Sequence, residues 1–266
     1  MNFFKGVIKR ILQRLRDLVW RLTKPGGGSP ISYYLDRQAV IRARSVFLIK
    51  TYDAINVRWV GHQCYQYPMD AWLIQEVLSD TRPDLIVETG TYMGGSSYFY
   101  ACICDLLGHG EVISIDIQAL STIEHPRITY LQGSSTDPAM VQKVKSRIAE
   151  IGAKKILVIL DSDHRAEHVQ KELELYSPLV PLGGYIHVQD GNADELPILK
   201  KFRPGPMAAA MKFLHSHPEF MRDIDLEKRY LMTEHPYGWL KRAALSPVSL
   251  QFDVTVESGV EKVVLN

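Results

Sequence analysis

Apolar and polar positions change period several times along this chain. Between residues 84 and 190 short apolar runs recur, most of them closed by an acid: Leu85-Ile86-Val87-Glu88, Val112-Ile113-Ser114-Ile115-Asp116, Ile128-Thr129-Tyr130-Leu131, Lys155 to Asp161, and Tyr185 to Asp190. Uninterrupted apolar runs of this length predict strands buried on both faces. Between them the apolar residues recur at helical spacing, over 98–107, 139–151 and 166–176, and Asp137-Pro138 is a good cap pair for the second of these. Strand and helix therefore alternate, which predicts an α/β fold: a doubly wound, mostly parallel sheet.

The flanks follow other patterns. Phe4, Val7, Ile8, Ile11, Leu15, Leu18, Val19 and Leu22 form an apolar stripe, and Lys5, Lys9, Arg10, Arg14, Arg16 and Arg21 fill the remainder. A basic amphipathic helix over residues 3–22 suits an anionic membrane surface, with Phe3 and Trp20 at the interface, or equally a protein partner. The division expected is a basic helix at 1–24, a flexible linker at 25–32, a helical cap or lid at 33–83, the core at 84–242, and a strand-like tail at 243–266 that adds edge strands. Asp70 is expected to cap a helix over 71–78, and Pro206 to open one over 207–214.

Composition narrows the classes. The 266 residues suffice for a sizeable core, and a formal charge of +1 argues against nucleic-acid binding. Three cysteines with no Cys-x-x-Cys pair argue against a disulfide scaffold or a zinc site and point to a reducing, cytoplasmic compartment. No stretch has the length of uncharged residues needed to span a bilayer.

The candidate chemistry sits at the strand ends. Glu88-Thr89-Gly90-Thr91 with Gly94-Gly95-Ser96 makes a strand, a glycine turn and the start of a helix. Such a turn aims backbone N–H groups and a positive helix end at the carboxyl edge of the sheet. The glycine spacing is not Gly-x-Gly-x-x-Gly, and no phosphate-loop lysine follows. Asp116, twenty-odd residues on, has the placement of a ribose-binding acid. An acid-closed turn with a ribose acid fits S-adenosylmethionine better than a dinucleotide; an ordinary βα turn is the plain alternative. In a parallel sheet Glu88, Asp161, Asp163, His164, Gln189 and Asp190 share one crevice, where oxygen donors would suit Mg²⁺. His164, three residues past Asp161, is the candidate proton acceptor. Asp163 can equally cap the next helix, and His168 and His187 read as structural.

These motifs, with Tyr67-Pro68-Met69-Asp70 upstream and Pro236-Tyr237-Gly238-Trp239-Leu240 downstream, resemble the cephalosporin hydroxylase and rhamnosyl O-methyltransferase family over roughly residues 55–242. That family is a branch of the Rossmann-like class I S-adenosylmethionine-dependent methyltransferases. The resemblance implies an O-methyltransferase, Mg²⁺-assisted, acting on a sugar hydroxyl of a surface glycan, glycolipid or glycosylated natural product. It implies Glu88, Gly90, Thr91, Gly94 and Ser96 toward the methionine end, Asp116 on the ribose, and Gly133, Ser134 and Ser135 on the nucleoside side. It implies Asp161, Gln189 and Asp190 as metal ligands and His164 as base, with Gln189 standing where the family has an acid. A homo-oligomer at the inner face of the membrane completes the expectation. A non-catalytic binding module and an Fe(II) oxygenase are the rivals, the latter wanting two histidines and one carboxylate.

Overall fold

The apolar runs become the centre of a seven-stranded sheet. Its strands are β1 (Leu85–Thr89), β2 (Glu111–Asp116), β3 (Ile128–Gln132), β4 (Ile156–Leu160), β5 (Tyr185–Val188), β6 (Phe220–Arg222) and β7 (Trp239–Arg242). They lie in the order β3-β2-β1-β4-β5-β7-β6. Strands β1 to β5 are parallel, while β7 runs antiparallel to both β5 and β6. This computed structural model describes residues 41–46 and 57–243, together with the backbone strands Phe252–Glu257 and Val260–Leu265.

Helices α1 (Pro68–Thr81), α2 (Gly95–Leu107), α3 (Pro138–Ile151), α4 (Ala166–Tyr176), α5 (Pro206–Ser216) and α6 (Ile224–Lys228) complete the layers. Side chains alternate across a strand, so each run feeds two cores. Val87, Ile113, Val158 and Ile186 pack among residues of α3, α4 and α5. Their neighbours Ile86, Val112, Leu157 and Ile159 pack among residues of α1 and α2. Every residue of β1 and of β4 is buried, which is why those runs carry no polar alternation. The predicted doubly wound sheet is the fold observed.

The chain steps outward from β1 to β2 and β3 on one side, and to β4 and β5 on the other. Loops after β1 and β4 therefore diverge, and a crevice opens at their carboxyl ends.

Several expectations are corrected. Helix α1 begins at Pro68 with Tyr67 as its cap residue, so Asp70 lies inside its first turn and caps nothing. Asp70 instead accepts hydrogen bonds from Thr233 Oγ1 (2.6 Å) and the Glu234 N–H (2.8 Å). The tail strands Phe252–Glu257 and Val260–Leu265 pair with each other in a separate two-stranded sheet rather than extending the main one. Between β6 and β7 the chain forms the short helix α6.

Contacts divide the chain into two units, one of 1–56 with Glu195–Ile198, the other of 57–194 with 199–266. In the first, residues 41–46 are helical and Arg44 pairs with Glu195 at 2.9 Å. The second carries the sheet. The basic helix expected over 3–22 and the linker after it lie outside the described residues. Among the described residues no helix is long and apolar enough to cross a membrane.

Candidate active site

The crevice holds a cavity of about 610 Å³, and the acid-closed turns form its walls. Gly90 follows β1 directly. Its N–H donates to Ile115 O (2.8 Å), and its φ of +90° lies where only glycine is at ease. A Cβ at Gly90 would overlap the Asp161 carbonyl, so the β1 and β4 loops approach this closely only through a glycine. Thr91, Ser96 and Asp116 line the cavity beside it, and Ser134 and Ser135 line the wall after β3. Asp116 is held in place by two backbone donors, Tyr92 N to Oδ2 and Gln118 N to Oδ1, each at 2.9 Å.

Four residues expected at the cofactor or metal do not line this cavity. Glu88 is wholly buried beneath it, accepting from Ser96 Oγ (2.5 Å), Ser114 Oγ (2.6 Å) and Ser97 Oγ. Its carboxylate is spent on the hydroxyls that tie β1, β2 and the start of α2 together, and through Ser96 it orients the cavity wall. Gly94 is the left-handed cap residue of α2 (φ +81°), and a Cβ there would run into Ser121. Gly133 faces Met140 of α3. Gln189 is buried, and its Oε1 accepts from Gln66 Nε2 at 2.8 Å, so the carbonyl expected to face a cation is already engaged.

Burial pushes the Glu88 carboxyl up to about 7, against the pull of the three serine hydroxyls. The folded protein thus favours the protonated acid. That stabilisation is complete below the ordinary value of 4.5 and is lost as pH rises through about 7. Glu88→Gln copies the neutral form. Its stability relative to wild type is therefore expected to improve by about 3 kcal/mol between pH 4.5 and pH 8, measured by urea denaturation at each pH. A difference independent of pH would mean that Glu88 is ionised in the fold.

At the other lip, Asp161, His164 and Asp190 meet. His164 Nε2 lies 3.1 Å from Asp190 Oδ2 and 3.5 Å from Asp161 Oδ1. One ligand atom from each of the three falls within 4.8 Å of the others. Burial raises the Asp161 carboxyl to about 6, with the Asp190 charge adding to it and the His164 hydrogen bond opposing it. For His164, burial alone would lower the imidazole, but Asp161, Asp190 and Asp163 outweigh it and raise it to about 9. Asp163 also lines the cavity but is engaged by Arg165, whose side chain and backbone N–H both donate to it, and the guanidinium holds its carboxyl down at about 2.

Sequence reasoning missed part of the wall. Tyr65 and Gln66 arrive from the irregular upstream segment, and the Tyr65 ring meets Tyr92 edge-on at 5.3 Å. His168, read as structural, also faces the cavity, with its Nε2 3.1 Å from Ser135 Oγ. Its place in the first turn of α4, beside the β4 loop, was the available signal. His187 is structural as expected, buried and stacked on Trp239 at 3.9 Å.

A sheet of this strand order, with its reversed seventh strand and acids at the ends of β1, β2 and β4, is that of a class I S-adenosylmethionine-dependent methyltransferase. The family model described as Rhamnosyl O-methyltransferase/CmcI matches residues 51–243. The chain belongs to that family and is an S-adenosylmethionine-dependent O-methyltransferase. It is 34% identical over 190 residues to a rhamnosyl O-methyltransferase of Mycobacterium bovis, covering 69% of this chain and 77% of that one. The counterpart from Mycobacterium leprae is 32% identical over 189 residues, covering 69% and 82%. Among solved structures, the fold is similar to "CmcI-N160 apo-structure", with a TM-score of 0.56 and 20% identity over 71% of this chain and 77% of that one. It is similar also to "cmcI-D160 Mg-SAM", with a TM-score of 0.55 and 21% identity over 72% and 78%.

Proposed function

We propose that this enzyme methylates a sugar hydroxyl of a glycan, glycolipid or glycosylated natural product, assisted by a divalent cation. The observation that carries the reading is the Asp161, His164 and Asp190 cluster on the same cavity as Asp116. Asp116 takes the ribose hydroxyls, Ser134 and Ser135 the nucleoside side, and Gly90, Thr91 and Ser96 the methionine end. The Asp161 lip would then position an acceptor hydroxyl for in-line attack; alignment supplies much of the rate.

The Asp161 and Asp190 carboxylates, each with an oxygen within 4.8 Å of the other, are oxygen donors that fit Mg²⁺ or a similar hard ion. Asp161 and Asp190 would hold it. When bound, such an ion supplies Lewis acidity that lowers the pKa of the acceptor hydroxyl. His164, between the two carboxylates, would in its neutral form accept the hydroxyl proton at Nε2. An Fe(II) oxygenase site would need two histidines and one carboxylate, the reverse of this set. The sugar acceptor is supported by the mycobacterial relatives, which are rhamnosyl methyltransferases. The basic helix expected at residues 3–22 agrees with a lipid-linked acceptor at the inner membrane face and with self-association.

The test is transfer of labelled methyl from S-adenosylmethionine into extracted glycolipids and glycans, with mass analysis of the product. Label appearing only in aglycone or protein would overturn the sugar assignment. Asp116→Ala is expected to weaken S-adenosylmethionine binding by about 10–100-fold in calorimetric titration, the loss of charge-assisted hydrogen bonds to the ribose.

A further inference from the structure

Asp190 reaches His164 from an unfavourable backbone conformation. Its φ of +54° is left-handed, a region that residues other than glycine seldom occupy. A glycine would adopt it freely but would bring no carboxylate. Such strain persists only where the surroundings hold it, and here the holding groups are identifiable. Three alternate N–H groups of the segment leaving β5 donate into the stretch before β7. Val188 N donates to Gly238 O (2.8 Å) and Asn192 N to Glu234 O (3.0 Å). The middle one, Asp190 N, finds no carbonyl and donates to His235 Nδ1 at 2.8 Å.

His235 is buried, and it is buried against an acid. Since Nδ1 accepts, the proton resides on Nε2, which lies 3.6 Å from Asp70 Oδ2. Asp70, itself buried, binds Thr233 and the Glu234 N–H at the same time, and Thr233 Oγ1 accepts from the His235 N–H (3.0 Å). The Asp190 N–H, by donating to Nδ1, fixes the tautomer of His235, and Asp70 fixes the backbone that carries it. The close approach extends to Gly191, where a Cβ would overlap the Pro236 carbonyl.

We propose that His235, braced by Asp70, is a positioning residue that holds Asp190 in the left-handed conformation from which its carboxylate meets Asp161 and His164. The consequence for cation binding rests on the function proposed above; the positioning itself does not. Partners behind metal ligands commonly tune affinity about 10–100-fold.

The test compares three variants of the full-length protein. His235→Asn places an oxygen near Nδ1 and can accept the Asp190 N–H, His235→Gln places its amide near Nε2, and His235→Ala places nothing. Amide hydrogen exchange at Asp190, read by NMR, is expected to match wild type in His235→Asn and to be about tenfold or more faster in the other two. Exchange at Val188 and Asn192 is expected to change less. Mn²⁺ titration followed by EPR should give about 10–100-fold weaker binding in His235→Gln and His235→Ala, with S-adenosylmethionine affinity unchanged. If His235→Ala does not fold, the Asn and Gln pair decides. Wild-type exchange at Asp190 in His235→Gln, or equally fast exchange in His235→Asn and His235→Gln, overturns the proposal. Wild-type protein that binds no Mn²⁺ removes the cation from the proposed function, and the exchange result still decides the role of His235.

Discussion

His164→Gln is expected to lower kcat for methyl transfer by about 10²–10⁴-fold, with S-adenosylmethionine affinity close to wild type. Glutamine keeps a polar group beside Asp161 and Asp190 but cannot take a proton. The pH dependence separates a base from a spacer. Because the neighbouring carboxylates raise the imidazole to about 9, His164 is a cation at neutral pH in the metal-free protein, and the accepting form grows as pH rises through that value. Under chelation the residual rate should therefore climb from pH 7 to about 9. Added Mg²⁺, by engaging Asp161 and Asp190, should move the climb to lower pH. In His164→Gln the climb should vanish. A variant with wild-type kcat, or one that keeps the climb, would show that the proton leaves by another route.

Gly90→Ala is expected to destabilise the fold by about 2–5 kcal/mol, combining the left-handed backbone with overpacking against the loop after β4. The atoms nearest the new methyl group are those of the Asp161 carbonyl and the Ser162 backbone. Neither is the free end of a side chain, so the β1 and β4 loops must part. The Asp161 carboxylate moves with its own backbone, and both cofactor binding and the acid cluster should suffer. Gly108 is the matched control. It is also left-handed, at φ +63°, but it has nothing within 4 Å of its added Cβ. Gly108→Ala should cost only about 1 kcal/mol and leave cofactor affinity intact. Urea denaturation with calorimetric titration of S-adenosylmethionine checks both. Equal losses in the two variants would mean that backbone conformation, not the closeness of the loops, is what Gly90 supplies.

The acids at the strand ends were readable because a buried strand announces itself as an apolar run and the residues at or just past its end reach the crevice. Asp116 and Asp161 follow from that rule, and both line the cavity. The rule misled at Glu88. A strand-end carboxylate can face the ligand or the protein, and three serine hydroxyls from two other elements turn this one inward. It misled again at Gln189, whose partner Gln66 lies 123 residues earlier in the chain. His168 escaped notice because a lone histidine carries no period.

What the linear chain settled by itself was local: the alternation of buried strands and amphipathic helices, the glycine turn after β1, and the order in which acids close the strands. Each depends on a few consecutive residues, and their spacing alone demands the backbone they adopt. The tertiary structure decided which polar groups meet. Asp70 braces the backbone of His235 through Thr233 and Glu234, and His235 holds Asp190, with Asp70 and Asp190 lying 165 and 45 residues before His235. No local rule encodes those pairings. They arise because burying the sheet's two faces brings α1 and the approach to β7 against the end of β5, and buried polar groups brought there must find partners in one another.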